Sequence, residues 1–143
     1  MQAESNLSRF LDAQEKDYSR ALAELKMGRK QSHWMWYIFP QISGLGFSET
    51  AKFYAIKDLQ EAKAYWEHPL LGSRLMEISR VLLATDGKTI NQILGSPDDM
   101  KLRSSMTLFS LLDKTDSVFQ AVLVKYFNGM PDQRTLAIVE NGQ

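Results

Sequence analysis

Ser32-His33-Trp34-Met35-Trp36-Tyr37-Ile38-Phe39-Pro40-Gln41 is the stretch on which the fold class turns. Residues 36–39 form the one strand-like run in the chain. Wound as a helix, the same stretch sets His33, Trp36, Tyr37 and Pro40 on one side. Trp34, Met35 and Ile38 then fall on the other. Residues 29–47 as a whole have no clean assignment, so the class follows from what flanks them. No other segment shows sustained period-two alternation between turn signals.

Upstream, Leu7, Phe10, Leu11, Tyr18, Leu22 and Leu25 recur at helical spacing, and Gly28 suits a C-terminal stop. This predicts a first helix over 7–27. Downstream, Ser48 with Glu49 and Thr50 behind it predicts a short helix to about Ile56. Asp58 predicts another, ending at His68-Pro69, because the residue before proline resists helical backbone. Leu71, Leu75, Ile78 and Leu82 make an apolar stripe on a helix of about four turns. Residues 89–94 read as a short helix closed by Gly95. Ser96-Pro97-Asp98-Asp99 offers a cap, a first-turn proline and acids at the positive end of the dipole. The helix beyond it carries Leu102, Met106, Phe109 and Leu112 on one face. Thr115 or Asp116 opens the next, with Phe119, Val122, Leu123, Tyr126 and Phe127 inward, and Asn128-Gly129 closes it. Pro131-Asp132 opens a last helix through Leu136 and Val139. The expectation is an all-α, compact single-domain bundle of about seven or eight helices, some short. Residues 1–6 and 140–143 are expected to be flexible tails.

A chain of 143 residues has the usual size of one domain and can bury a real core. The absence of cysteine rules out disulfides and thiolate chemistry. The start, Met1-Gln2-Ala3-Glu4-Ser5-Asn6, has neither a basic nor an apolar signal region, and no apolar run approaches the roughly 20 residues of a membrane span. Both point to the cytoplasm. Seventeen basic residues balance seventeen acidic ones, which argues against a dedicated nucleic-acid binder and leaves only a local patch open.

Three segments could carry chemistry. The first joins Arg29 and Lys30 to the aromatic stretch, which holds two of three tryptophans and one of two histidines. It reads as a buried core segment, or as a pocket wall whose aromatic faces and cations suit an anionic, ring-bearing ligand. The second is Gly44-Leu45-Gly46-Phe47-Ser48. It reads as an ordinary turn and cap, or as bare backbone N–H groups offered to an anion. It lacks the third glycine and preceding strand of a dinucleotide fingerprint. The third is Lys101-Leu102-Arg103-Ser104-Ser105-Met106-Thr107. Serine and threonine compete with helix backbone bonding, so they mark either a carbonyl-bonded face or a ligand-facing one, with Lys101, Arg103, Ser104 and Thr107 forward. His68, before Pro69, reads as a dipole partner at a helix C-terminus. No metal-ligand spacing and no nucleophile elbow occurs, and no cofactor is indicated.

The residues also resemble a known group. Ser32-His33-Trp34-Met35-Trp36-Tyr37-Ile38-Phe39-Pro40-Gln41, Gly44-Leu45-Gly46-Phe47-Ser48, His68-Pro69-Leu70-Leu71-Gly72-Ser73-Arg74-Leu75, Gly95-Ser96-Pro97-Asp98-Asp99-Met100-Lys101-Leu102 and Ser104-Ser105-Met106-Thr107-Leu108-Phe109 resemble a bacterial family of unknown function. The resemblance covers nearly the whole chain. It implies a mainly helical single domain and no established activity, substrate or cofactor. Some members bear the name calpastatin, whose inhibitory segments are disordered until bound; this chain has the composition of a packed domain.

Two functions follow. One is a pocket for a small anionic, ring-bearing metabolite such as a nucleotide or nucleotide-sugar. Trp34, Trp36 and Tyr37 would stack, and Gln41, Gly44, Gly46 and Ser48 would line it. Arg29, Lys30, Lys101 or Arg103 would hold the anion, beside Ser104 and Thr107. His33 would be the general acid or base, its unperturbed pKa lying near neutrality. The other is a non-catalytic interaction domain, with the aromatics as core or partner surface.

Overall fold

A computed structural model of the chain describes residues 6–142; residues 1–5 and 143 of the expected tails lie outside them. The described residues form nine helices and no strand. They are α1 (Ser8–Lys26), α2 (Met35–Ile38), α3 (Glu49–Tyr54), α4 (Leu59–Glu67), α5 (Pro69–Ala84), α6 (Ile90–Leu94), α7 (Asp98–Ser110), α8 (Val118–Phe127) and α9 (Gln133–Gly142). Eight match the periodic segments. The ninth, α2, is one turn inside the unassigned stretch, and its helical state settles the class as all-α. The only strand-like pairing among the described residues is a parallel bridge of Ile42 with Ile56, closed by Ser43 N–H to Ile56 O and Ile56 N–H to Gln41 O, each 2.7 Å.

Local chemistry sets the boundaries. Ser48, Asp58 and Thr89 each accept a third-residue backbone N–H at the starts of α3, α4 and α6. Thr89 and Gln92 complete a capping box. Asp132 does the same for α9, its Oδ2 accepting Thr135 N–H at 2.9 Å. Two expectations need correction. Ser96 does not cap α7; Pro97 holds the N-cap position and the acids of the first turn face the dipole directly. His68 stands at the C-terminus of α4, as expected, but its ring serves the following helix rather than the dipole of α4. Its Nδ1 accepts Leu70 and Leu71 N–H at 3.1 and 3.3 Å, so the ring caps α5. Residues 140–142, expected in a tail, belong to α9.

α7 sits in the middle, packed against α4, α6, α8 and α9, and is buried from Ser104 to Phe109 without a break. α5 packs on α1, α4 and α8, and α2 bridges α1 and α3. Phe10, Leu25, Tyr65, Leu75, Phe109 and Phe119 are fully buried in one continuous cluster. Full burial of each such aliphatic or phenyl side chain contributes about 1.5–3 kcal/mol. No described helix is long and apolar enough to cross a membrane.

Candidate functional site

The aromatic segment is attached to α1 by a carboxylate. Glu24 is 9% exposed. It accepts Gln31 N–H at 2.7 Å, Ser32 N–H at 3.1 Å, the Trp34 indole N–H at 2.8 Å and the Ser32 hydroxyl. Burial pushes its carboxyl up, but these donors outweigh burial and hold it down to about 2. Trp34 is therefore core at 1% exposure, and Tyr37 is buried as well. The Tyr37 hydroxyl donates to Asp17; burial, then that bond, raise it above the ordinary phenol range. The buried Gln14 amide donates to Tyr37 O at 2.7 Å and to the Tyr65 hydroxyl at 2.8 Å.

A second chain of contacts joins the segment to α7. Lys30, with a side chain 8% exposed, pairs with Asp98 Oδ2 at 2.9 Å and lies over the Trp34 ring. Asp98 Oδ1 meets Lys101 Nζ at 3.3 Å, and Lys101 lies 4.9 Å from the Trp36 ring centroid. The order is Trp34, Lys30, Asp98, Lys101, Trp36. One carboxylate thus serves two lysines, and each lysine covers an indole face.

Lys101, the last cation of this series, lines an open cleft of about 330 Å³. The loop before α3 contributes Gln41, Leu45 and Gly46, and α3 contributes Ala51. The first half of α7 contributes Met100, Lys101 and Ser104 behind Pro97, and the start of α9 contributes Asp132 and Arg134. A narrow recess shares Gln41, Gly46 and Ala51 with the cleft and brings half-buried Trp36 to its wall. A Cβ at Gly46 would stand 2.6 Å from Ala51 Cβ, so only glycine lets the loop approach α3 this closely.

The structure thus brings Gln41, Gly46, Lys101 and Ser104 together, with Trp36 behind them. The other candidates are elsewhere or otherwise engaged. His33 and Arg29 are exposed and do not line the cleft. Ser48 caps α3. Gly44, at φ +107°, lets the loop pack on Ile138 of α9. Arg103 donates to Met130 O at 2.9 Å. Ser104 and Thr107 bond back to Met100 O and Arg103 O, and Thr107 Oγ1 also receives Asp132 N–H at 2.8 Å, which ties the start of α9 to α7. Ser104 and Thr107 are thus carbonyl-bonded on a central helix, whereas the buried Ser105 hydroxyl has no hydrogen-bond partner among the described residues. Sequence reasoning missed Leu45, Met100, Asp132 and Arg134. Two signals could have found them: all four lie in stretches that carry the family resemblance, which also runs through residues 132–136, and Arg134 is a cation in a first turn where the dipole favours anions.

Two larger but more open grooves, at the α4–α5 corner and beside the end of α1, hold none of the candidates. Among the described residues no group of three or more His, Asp or Glu side chains is placed to hold a metal ion.

Comparison with known proteins agrees with the fold. No curated protein matches the chain. The crystal structure of a conserved hypothetical protein, Rv1873 from Mycobacterium tuberculosis, superimposes with a TM-score of 0.93 at 46% sequence identity, covering 94% of this chain and 96% of that one. Residues 4–139 match the family described as protein of unknown function DUF1810, and the chain belongs to that family.

Proposed function

We propose that this protein binds a small anionic, ring-bearing metabolite in the cleft between the 41–46 loop, α7 and α9, without performing chemistry on it. One observation carries the reading. Residues from two motifs some 60 positions apart meet in one concave site, and a third segment adds Arg134. Such a site combines apolar walls with a few convergent polar groups, as small-molecule sites do. Arg134 and Lys101 would hold the anion, Gln41 and Ser104 would orient it, and Trp36 would sense the occupant from the recess. The binding role rests first on Arg134, with Lys101 shared between the cleft and Asp98; Lys30 and Arg103 do not line the cleft and have protein partners. His33 lies outside the cleft and has no acid or base role in this reading. One continuous buried cluster supports a single domain, and a cysteine-free chain fits the reducing cytoplasm.

The test is a thermal-shift and tryptophan-fluorescence screen against nucleotides, sugar phosphates and organic acids. A ligand at about 100 times its Kd adds roughly 2.7 kcal/mol of stability. A hit should weaken at least tenfold in Arg134→Ala and keep its affinity in His33→Ala. A hit indifferent to Arg134, or a panel with no hit, would overturn the reading. A second reading, an interaction domain, draws on Phe47 before α3 and Phe53 within it, which are 77% and 57% exposed. A negative panel with partner capture lost in a Phe47→Ser variant would favour it.

A further inference from the structure

Resting on that reading, we infer that the cleft selects a singly charged carboxylate and discriminates against a phosphomonoester. The charges around it set the limit. Of the side chains lining the cleft, Lys101 and Arg134 are cationic and Asp132 is anionic, and behind them Asp98 pairs with Lys30, so one positive charge is left over. Asp98 already serves both lysines at 2.9 and 3.3 Å. Asp132 lines the cleft itself, with Oδ2 taken by Thr135. A phosphomonoester carries about two negative charges at neutral pH. Its second charge would lack a counter-charge while standing near two carboxylates, and like charges in a partly desolvated site repel.

The surplus cation also has the right shape. Arg134 occurs in the first turn of α9, a ten-residue helix whose dipole disfavours a cation there. Its side chain has no ion-pair partner among the described residues. A planar guanidinium fork matches a planar carboxylate through two parallel hydrogen bonds. Leu45, Ala51, Pro97 and Met100 provide an apolar wall for a ring, and a volume of about 330 Å³ lies at the small end for ligand sites. The ligand class is a compact ring carboxylate.

The experiment compares 1-naphthoate with 1-naphthyl phosphate, and neutral 1-naphthamide, by titration calorimetry at pH 7.5 on the intact protein. The expected order is naphthoate tighter than naphthyl phosphate by at least tenfold. Asp132→Asn should narrow that gap, since asparagine caps a helix as well as aspartate and removes one negative charge. Equal or tighter binding of the phosphate overturns the inference and leaves the cleft reading standing. Binding of phosphomonoesters alone in the wider panel overturns it in the same way. If no anion of either kind binds, the cleft reading itself falls, and this inference with it.

Discussion

At the scale of the residue, Glu24 decides whether the aromatic segment is a wall or a core. Its four donors come from Gln31, Ser32 and Trp34, so a single carboxylate fixes the start of the Trp-Met-Trp run against α1. Hydrogen bonds to a charged group contribute about 1.5–3 kcal/mol. Glu24→Gln is therefore expected to destabilise the fold by about 2 kcal/mol at pH 7, measured by urea unfolding. The sign with pH is fixed by the lowered carboxyl. Its stabilisation is fully present above about pH 4.5 and is lost as pH falls toward about 2. The wild type should thus lose stability across that window, and Glu24→Gln should show a flatter profile. Parallel profiles would mean that Glu24 does not hold the segment. Nothing in the sequence marks this carboxylate: it is a charged residue on a helix that ends four positions before Lys30, and its role emerges only when the chain turns back.

At the scale of the element, the close crossing of α4 and α5 depends on Gly72. A Cβ there would lie 2.1 Å from the Trp66 carbonyl oxygen, a backbone atom that cannot swing away. Alanine would gain roughly 1 kcal/mol of helix propensity, but overpacking against backbone costs about 1–3 kcal/mol and a backbone shift besides. Gly72→Ala should lower stability by about 2 kcal/mol in thermal unfolding; a stabilised variant would mean the two helices are further apart. The helices themselves were legible from the sequence because apolar stripes and caps agree, as at Asp58, Thr89 and the Leu71-Leu75-Ile78-Leu82 face. α2 was not, because four residues before Pro40 are too few for a period. The site was half legible. Gln41, Gly46, Lys101 and Ser104 stood in motifs with odd composition. Asp132 and Arg134 looked like an ordinary helix start, and which loop α9 faces is a tertiary fact. Ser48, Gly44 and Thr107 share the residue types of ligand sites, yet capping, close packing and carbonyl bonding use the same chemistry.

At the scale of the whole molecule, α1 is held to the rest by two carboxylates at opposite ends. Near its C-terminus Glu24 holds the aromatic segment. Near its start Arg9 meets Glu61 Oε1 at 3.1 Å, with side chains 8% and 6% exposed, while Arg9 also donates to Phe53 O and Ala55 O at 2.8 Å each. Removing one member of a buried pair strands the other. Glu61→Gln should cost about 3–5 kcal/mol, and the Arg9→Leu, Glu61→Gln double variant clearly less than the sum of the singles. Additive losses in denaturant unfolding would show that the two do not act as a pair. The two attachments differ in how much chain they enclose. Glu24 and Trp34 are ten positions apart, whereas Arg9 and Glu61 are separated by 52. Loop-closure entropy grows as the logarithm of the enclosed length, so the longer ring costs about 1.5 kcal/mol more to shut. The aromatic segment is thus the part of the molecule whose placement asks least of the chain's freedom, and the walls of the cleft are built outward from a short, tight ring.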